Sequence, residues 1–206
     1  MDNNGHTALY TTVLEGHKDV VKALLEFGVD PNRPNGNKWT PIHAASNRGL
    51  VDIVRTLLAF GAVVITPNDD GMTPLHSGCD NGRLQIVRML LRKGPPISIK
   101  SNDGWAAITS AAGNGHTEVV EALQDRQESI ETRNASGWTP LGVAASEGYP
   151  DTVKMLISRG ANIVAANDSS WMPLHIAAKK NRIEVGKTLL SVDATCLVRP
   201  LSDGRH

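Results

Sequence analysis

Apolar and polar positions between residues 39 and 61, WTPIHAASNRGLVDIVRTLLAFG, predict two short helices set back to back. Ile42, Ala44 and Ala45 give the first helix a thin apolar face of small side chains. In the second, Val51, Val54, Leu57 and Leu58 recur at spacings of three and four, with Ile53 beside them. Thr40 supplies a hydroxyl N-cap, and Pro41 takes the first helical position, where its missing N–H costs nothing. Gly49 breaks the first helix, and Gly61, free to adopt positive φ, ends the second. An isolated helix of about 12–15 residues is already marginal in water, so two this short require neighbours of the same kind.

The chain supplies them at a period of 33 residues. The cap position reads Thr7, Thr40, Thr73, Ala106, Thr139 and Met172. Two residues later stand Leu9, Ile42, Leu75, Ile108, Leu141 and Leu174, all apolar. The break between helices reads Gly16, Gly49, Gly82, Gly115, Gly148 and Asn181. Leu24, Leu57, Leu90, Leu123, Leu156 and Leu189 recur in the second helix without a slip in register. A fixed period in the low thirties signals a stacked solenoid in which each unit touches only its neighbours.

The runs TPIH, TPLH and MPLH followed by small residues, then GH and the spaced valines and leucines, resemble the ankyrin repeat over roughly residues 2–194. The resemblance implies an all-α solenoid of helix-turn-helix units with β-hairpin loops and a concave groove. Six repeats are expected at about 2–34, 35–67, 68–100, 101–133, 134–166 and 167–194, with a tail at 195–206.

Composition narrows the function. Lys plus Arg equals Asp plus Glu at 21 each, which argues against a general nucleic-acid binder. Cys79 and Cys196 form no CxxC, so neither a disulfide framework nor zinc spacing is expected. Cys79 falls where other units have Ser46, Ala112 and Ala145, and reads as a small packing residue in a reducing compartment. MDNNGHTALY shows no signal or transit peptide, and no apolar run approaches the ~18 residues of a membrane helix. A cytoplasmic protein is expected, with the nucleus as the second location.

Some units depart from the pattern. The first looks like an interior unit, with Val13, Val20, Val21 and Leu24, and predicts further repeats before Met1 in a longer protein. The second moves the turn glycine two positions earlier, to Gly36. The fourth replaces Thr-Pro by Ala106-Ala107, histidine by Thr109 and the closing glycine by Gln127, and turns polar from Gln124 to Glu128. It reads either as drift held in place by neighbours or as a soft point. Gly186 interrupts the last second helix at a cost of about 0.5–1 kcal/mol relative to alanine.

His43, His76 and His175 share one position. The resemblance implies rings that tie the first helix to its own hairpin loop. A zinc site would need nitrogens ~2.0–2.1 Å from one ion, whereas packed helices sit about 8–10 Å apart. No Ser–His–Asp order, phosphate loop or HExxH helix appears, so neither an enzyme nor a cofactor is expected.

All four tryptophans, Trp39, Trp105, Trp138 and Trp171, share the position directly before the first helix, with Met72 in the same register. In the ankyrin architecture that position faces the groove, so they should form one stripe. Aromatics and methionine anchor interfaces, and each Trp buries about 150–250 Å². Arg48, Asp70, Asp80, Asp103, Asn114, Glu147, Lys179 and Lys180 should surround the stripe. Acidic residues gather in the middle and Lys179, Lys180 and Arg182 at the end, a gradient that would orient a partner. The expected function is a non-enzymatic module that binds a protein or peptide in the groove, as a monomer. The alternatives are a nucleotide-like ligand stacked on Trp105 or Trp138, with Lys100 or Arg133 at a phosphate, and an architectural spacer.

Overall fold

The computed structural model describes residues 5–192. Secondary structure there is helical, and no strand longer than a single residue is found among the described residues. Contacts divide the chain into two compact units, Met1–Asn102 and Asp103–His206.

The first unit holds α1 (Ala8–Glu15), α2 (Lys18–Glu26), α3 (Pro41–Arg48), α4 (Val51–Ala59), α5 (Pro74–Asp80) and α6 (Leu84–Leu91). They form antiparallel pairs, α1 with α2, α3 with α4 and α5 with α6. First helices stack on first helices, and α2, α4 and α6 form a second layer. The second unit repeats this plan with α7 (Ala107–Gly113), α8 (Thr117–Gln124), α9 (Pro140–Glu147), α10 (Pro150–Ser158), α11 (Pro173–Lys179) and α12 (Ile183–Val192). None of these helices is long and apolar enough to cross a membrane.

The core lies between the layers. Leu9, Ile42, Leu75, Ile108 and Leu141 are fully or almost fully buried, as are Leu57, Leu90, Leu123, Leu156 and Leu189. Each such side chain contributes about 1.5–3 kcal/mol relative to exposure. Cys79 is fully buried in this layer. The thin faces of α3, α7 and α9 carry Ala44, Ala45, Ala111, Ala112, Ala144 and Ala145, all buried, which lets neighbouring first helices approach closely.

Loop tips close without strands. Asn35 donates its N–H to the Trp39 carbonyl at 2.9 Å, and Asn68 does the same to Met72 at 2.9 Å. Asn134 pairs with Trp138 at 3.0 Å and Asn167 with Trp171 at 2.9 Å. The same asparagine side chains accept from the chain again: Asn35 Oδ1 takes the Trp39 N–H at 2.9 Å, and Asn134 Oδ1 takes that of Trp138 at 3.0 Å. The expected β-hairpins are thus asparagine-clamped turns, because side-chain oxygens satisfy donors that strand ladders would otherwise use. Successive tips join through the backbone, Asn102 N–H to Asp70 O at 2.8 Å and Asp168 N–H to Ser136 O at 3.2 Å.

The tips keep one backbone conformation even where the glycine is displaced. The positive φ stays in register at Lys38 (59°) instead of moving to Gly36. Ser170 (63°) does likewise, where other tips place Gly71, Gly104 and Gly137. The asparagine clamp fixes the turn geometry, and the residue at that position must adopt it. Gln127 (66°) and Asn181 (56°) also keep the left-handed conformation of the glycines they replace.

Candidate partner-binding site

Each tryptophan is half-buried against its own helix pair, not a free ring on the surface. Trp39 tilts against His43, with ring centroids 5.6 Å apart at 55°. Trp171 meets His175 edge-on at 6.4 Å. His6 and Tyr10 occupy the same two register positions and stack at 4.9 Å. In α9 the partner position is Gly142, and Trp138 fills the space: a Cβ there would lie 2.4 Å from Trp138 Cε3. At the end of α7, a Cβ on Gly113 would lie 2.8 Å from Val143 Cγ1 and 3.5 Å from Trp105 Cζ3. The tryptophan position therefore couples the loop tip to its first helix while each side chain stays partly exposed.

The histidines hold the stack. His43 Nδ1 lies 3.2 Å from the Thr40 N–H that it accepts and 2.7 Å from Thr40 Oγ1. Its other nitrogen, Nε2, sits 3.0 Å from the Met72 carbonyl, so it carries the proton and donates. The ring thus reaches the tip of the following helix pair, in addition to its own cap. Burial, opposed by the bond to Met72, pushes its pKa down to about 4. His76 Nδ1 and His175 Nδ1 likewise accept from Thr73 N–H at 3.1 Å and Met172 N–H at 3.3 Å.

The helix pair beginning at α7 uses different chemistry. Ala106 offers no cap oxygen, and Glu128 takes over: its Oε1 lies 3.4 Å from the Ile108 N–H in the first turn of α7. The side chain is buried, and burial pushes its pKa up to about 8, opposed by that hydrogen bond. Glu128 Oε2 and the buried Thr109 Oγ1 have no hydrogen-bond partner. The polar stretch expected after α8 is therefore in part an interior residue.

Two pockets gather predicted site residues. In the second unit, Asp103, Trp105, Trp138 and Glu147 line a pocket of about 470 Å³, completed by Asn134, Ser136, Val143 and Ser146 among others. In the first unit, Trp39 and Arg48 line one of about 290 Å³ with Tyr10, Leu14, Asn37 and Asn47. Met72, Asp70, Asp80 and Asn114 line neither pocket. Met72 is half-buried, and Asp70 and Asp80 are exposed. Asn114 turns back on α7, donating from Nδ2 to the Ser110 carbonyl at 3.0 Å.

The charge pattern differs from a free basic end. Lys180 Nζ lies 2.9 Å from Glu147 Oε1, and Arg182 reaches Glu147 Oε2 at 3.9 Å. The hydrogen bond to Lys180 holds the Glu147 carboxyl below its ordinary range. Lys179 Nζ sits 4.7 Å above the Trp171 ring. Asp69 pairs with Lys38 at 2.9 Å. Arg133 donates to the carbonyls of Gly137 at 2.8 Å and Ala166 at 2.7 Å, so it ties loop segments together. Among the described residues, no group of three His, Cys, Asp or Glu side chains is arranged to hold a metal ion.

The sequence reading missed Gly142, Gly113 and the clamping asparagines. A signal existed for two of these: Gly142 stands where histidine recurs, and Asn35, Asn68, Asn134 and Asn167 repeat at the common period.

Stacked helix pairs with asparagine-clamped tips and an aromatic before each first helix define a tandem-repeat scaffold. Comparison with known proteins names it. The family described as ankyrin repeats (3 copies) matches residues 27–103, 93–167 and 130–199, and the single ankyrin repeat matches 4–36. The chain belongs to the ankyrin repeat family.

The crystal structure of the human ASB11 ankyrin repeat domain superposes with a TM-score of 0.87 at 29% identity, covering 97% of this chain and 89% of that one. Over 42 residues the chain is 39% identical to Notch-regulated ankyrin repeat-containing protein B of Danio rerio, a stretch covering 20% of this chain and 38% of that protein. The human Notch-regulated ankyrin repeat-containing protein matches at 38% over 42 residues, 37% of its length. The chain thus spans well under half of these curated relatives. Ankyrin repeats are in general protein–protein interaction modules, and the fold is typically non-enzymatic.

Proposed function

We propose that this protein is a monomeric interaction module of six ankyrin repeats that holds a protein or peptide segment against its tryptophan-bearing face. The pocket between Trp105 and Trp138 carries the reading. It offers two aromatic edges beside Val143, with Asn134, Ser136 and Ser146 as hydrogen-bonding groups and Asp103 and Glu147 as acids. An apolar or cationic side chain from a partner fits that chemistry. The scaffold is preassembled by helix stacking, so docking orders little of it. Trp39 and Arg48 offer a smaller pocket of the same kind, and Met72 and Trp171 flank in register. Asp70, Asp80, Asn114, Lys179 and Lys180 contribute to orientation and rate more than to affinity. The expected setting is the reducing cytoplasm, or the nucleus, within a longer protein.

The test is a pull-down with wild type and with the Trp105→Ala/Trp138→Ala pair, preceded by light scattering on both. The reading expects monomers, a pair that is somewhat less stable but still melts cooperatively above the assay temperature, and binding proteins retained by wild type and lost by the pair. The same proteins recovered at the same level by both would refute it.

A further inference from the structure

The outer layer of the first unit carries a charge anomaly. The second position of each second helix reads Asp19, Asp52, Gln85, Glu118, Asp151 and Glu184. Three of these acids pair with the cation three residues later: Asp52 with Arg55, Asp151 with Lys154 at 3.5 Å and Glu184 with Lys187 at 2.8 Å. In α6 the acid is replaced by Gln85, and Arg88 has lost that partner. The segment 83–93, RLQIVRMLLRK, holds four cations and no acid, while 50–60, LVDIVRTLLAF, holds one of each.

These cations rim a groove. Between α4 and α6 runs a depression of about 600 Å³ with Leu58, Leu84 and Met89 along its floor, each half-buried. Arg55, Arg88, Arg92 and Lys93 stand around it, all exposed, and no acidic side chain lines it. Asp52, the nearest acid in register, is already engaged by Lys18 at 3.2 Å and by Arg55. Arg88, Arg92 and Lys93 make no ion pair among the described residues.

We propose that this groove is a second interaction site, separate from the tryptophan face, that takes an acidic peptide segment with aliphatic side chains between its carboxylates. The apolar floor accepts the aliphatic groups, and the arginines offer forked donors that match carboxylates two bonds at a time. Complementary charge gives the segment its orientation and a fast approach. The aliphatic floor separates this site from a plain polyanion surface, which needs cations alone.

The probe is a fluorescein-labelled glutamate-rich peptide carrying two leucines, titrated by anisotropy against wild type and variants. Arg88→Glu/Arg92→Glu is expected to weaken binding by at least about tenfold. Gln85→Glu, which restores the acid three residues before Arg88, weakens it severalfold. Lys154→Glu, a matched charge reversal in the other unit, and Trp105→Ala/Trp138→Ala leave it unchanged. Replacing both leucines of the probe by serine weakens it severalfold.

A wild-type Kd weaker than about 1 mM overturns the proposal. So does equal binding by Arg88→Glu/Arg92→Glu, or by the serine peptide. Tighter binding to phosphatidylserine vesicles or duplex DNA than to the peptide overturns it in favour of a general anion surface. Thermal melts check that each variant remains folded at the temperature of the titration.

Discussion

His43 Nε2 and the Met72 carbonyl, 3.0 Å apart, join one helix pair to the loop tip of the next. The same ring accepts the Thr40 N–H, so one buried side chain satisfies a helix start and a neighbouring tip together. His43→Ala strands both groups and opens a void, which should cost about 2 kcal/mol or more. Urea denaturation measures it, and a loss under about 0.5 kcal/mol would mean that the ring is dispensable.

Glu128 and His43 set opposed pH dependences. His43 is held near pKa 4 against an ordinary 6.5, so its contribution is lost as pH falls from 6.5 through 4. Glu128 is raised to about 8 from 4.5, so the folded chain binds the extra proton between those values. Its contribution is full below pH 4.5 and lost as pH rises through 8. The two cancel between pH 4.5 and 6.5, and above 6.5 Glu128 acts alone, lowering stability by up to about 1.4 kcal/mol per pH unit. Glu128→Gln should remove that fall, read as urea midpoints at pH 6.5 and 8. An equal fall in the variant would assign the slope to other groups.

Two substitutions separate glycine that matters from glycine that does not. Gly186→Ala, with open space around the added carbon, should stabilise by about 0.5–1 kcal/mol. Gly142→Ala pushes into Trp138 and should destabilise while changing tryptophan fluorescence. If both behave alike in thermal melts, the Trp138 ring does not occupy the place described.

Lys38 holds a left-handed backbone that glycine holds at Gly71. Lys38→Gly should therefore stabilise by about 0.5–1 kcal/mol, the left-handed strain exceeding both the added chain entropy and the exposed ion pair to Asp69. A destabilised variant would show that the lysine side chain, not its backbone, decides the position.

Helix positions, caps and the buried leucine register were legible in the sequence because they depend on near-neighbour spacing, which repeats six times. The tryptophan register was legible for the same reason. Its half-burial was not, since whether a ring covers its own helix depends on what stands four residues later: His43, Gly142 or His175. The interior position of Glu128 was also hidden, because its role is to replace a cap hydroxyl missing 22 residues earlier, at Ala106. The repeat register places Lys180 and Arg182 at the basic end of the face but does not show that Glu147, one repeat away, pairs with both.

The most direct test of the central claim is the affinity of a captured partner for wild type, Trp105→Ala and Trp138→Ala by calorimetry. Each truncation should cost about 2 kcal/mol or more of binding, roughly thirtyfold in Kd, with both variants still fully folded at the temperature of the titration. Unchanged affinity in both variants would contradict the account and move the binding face elsewhere on the repeat stack.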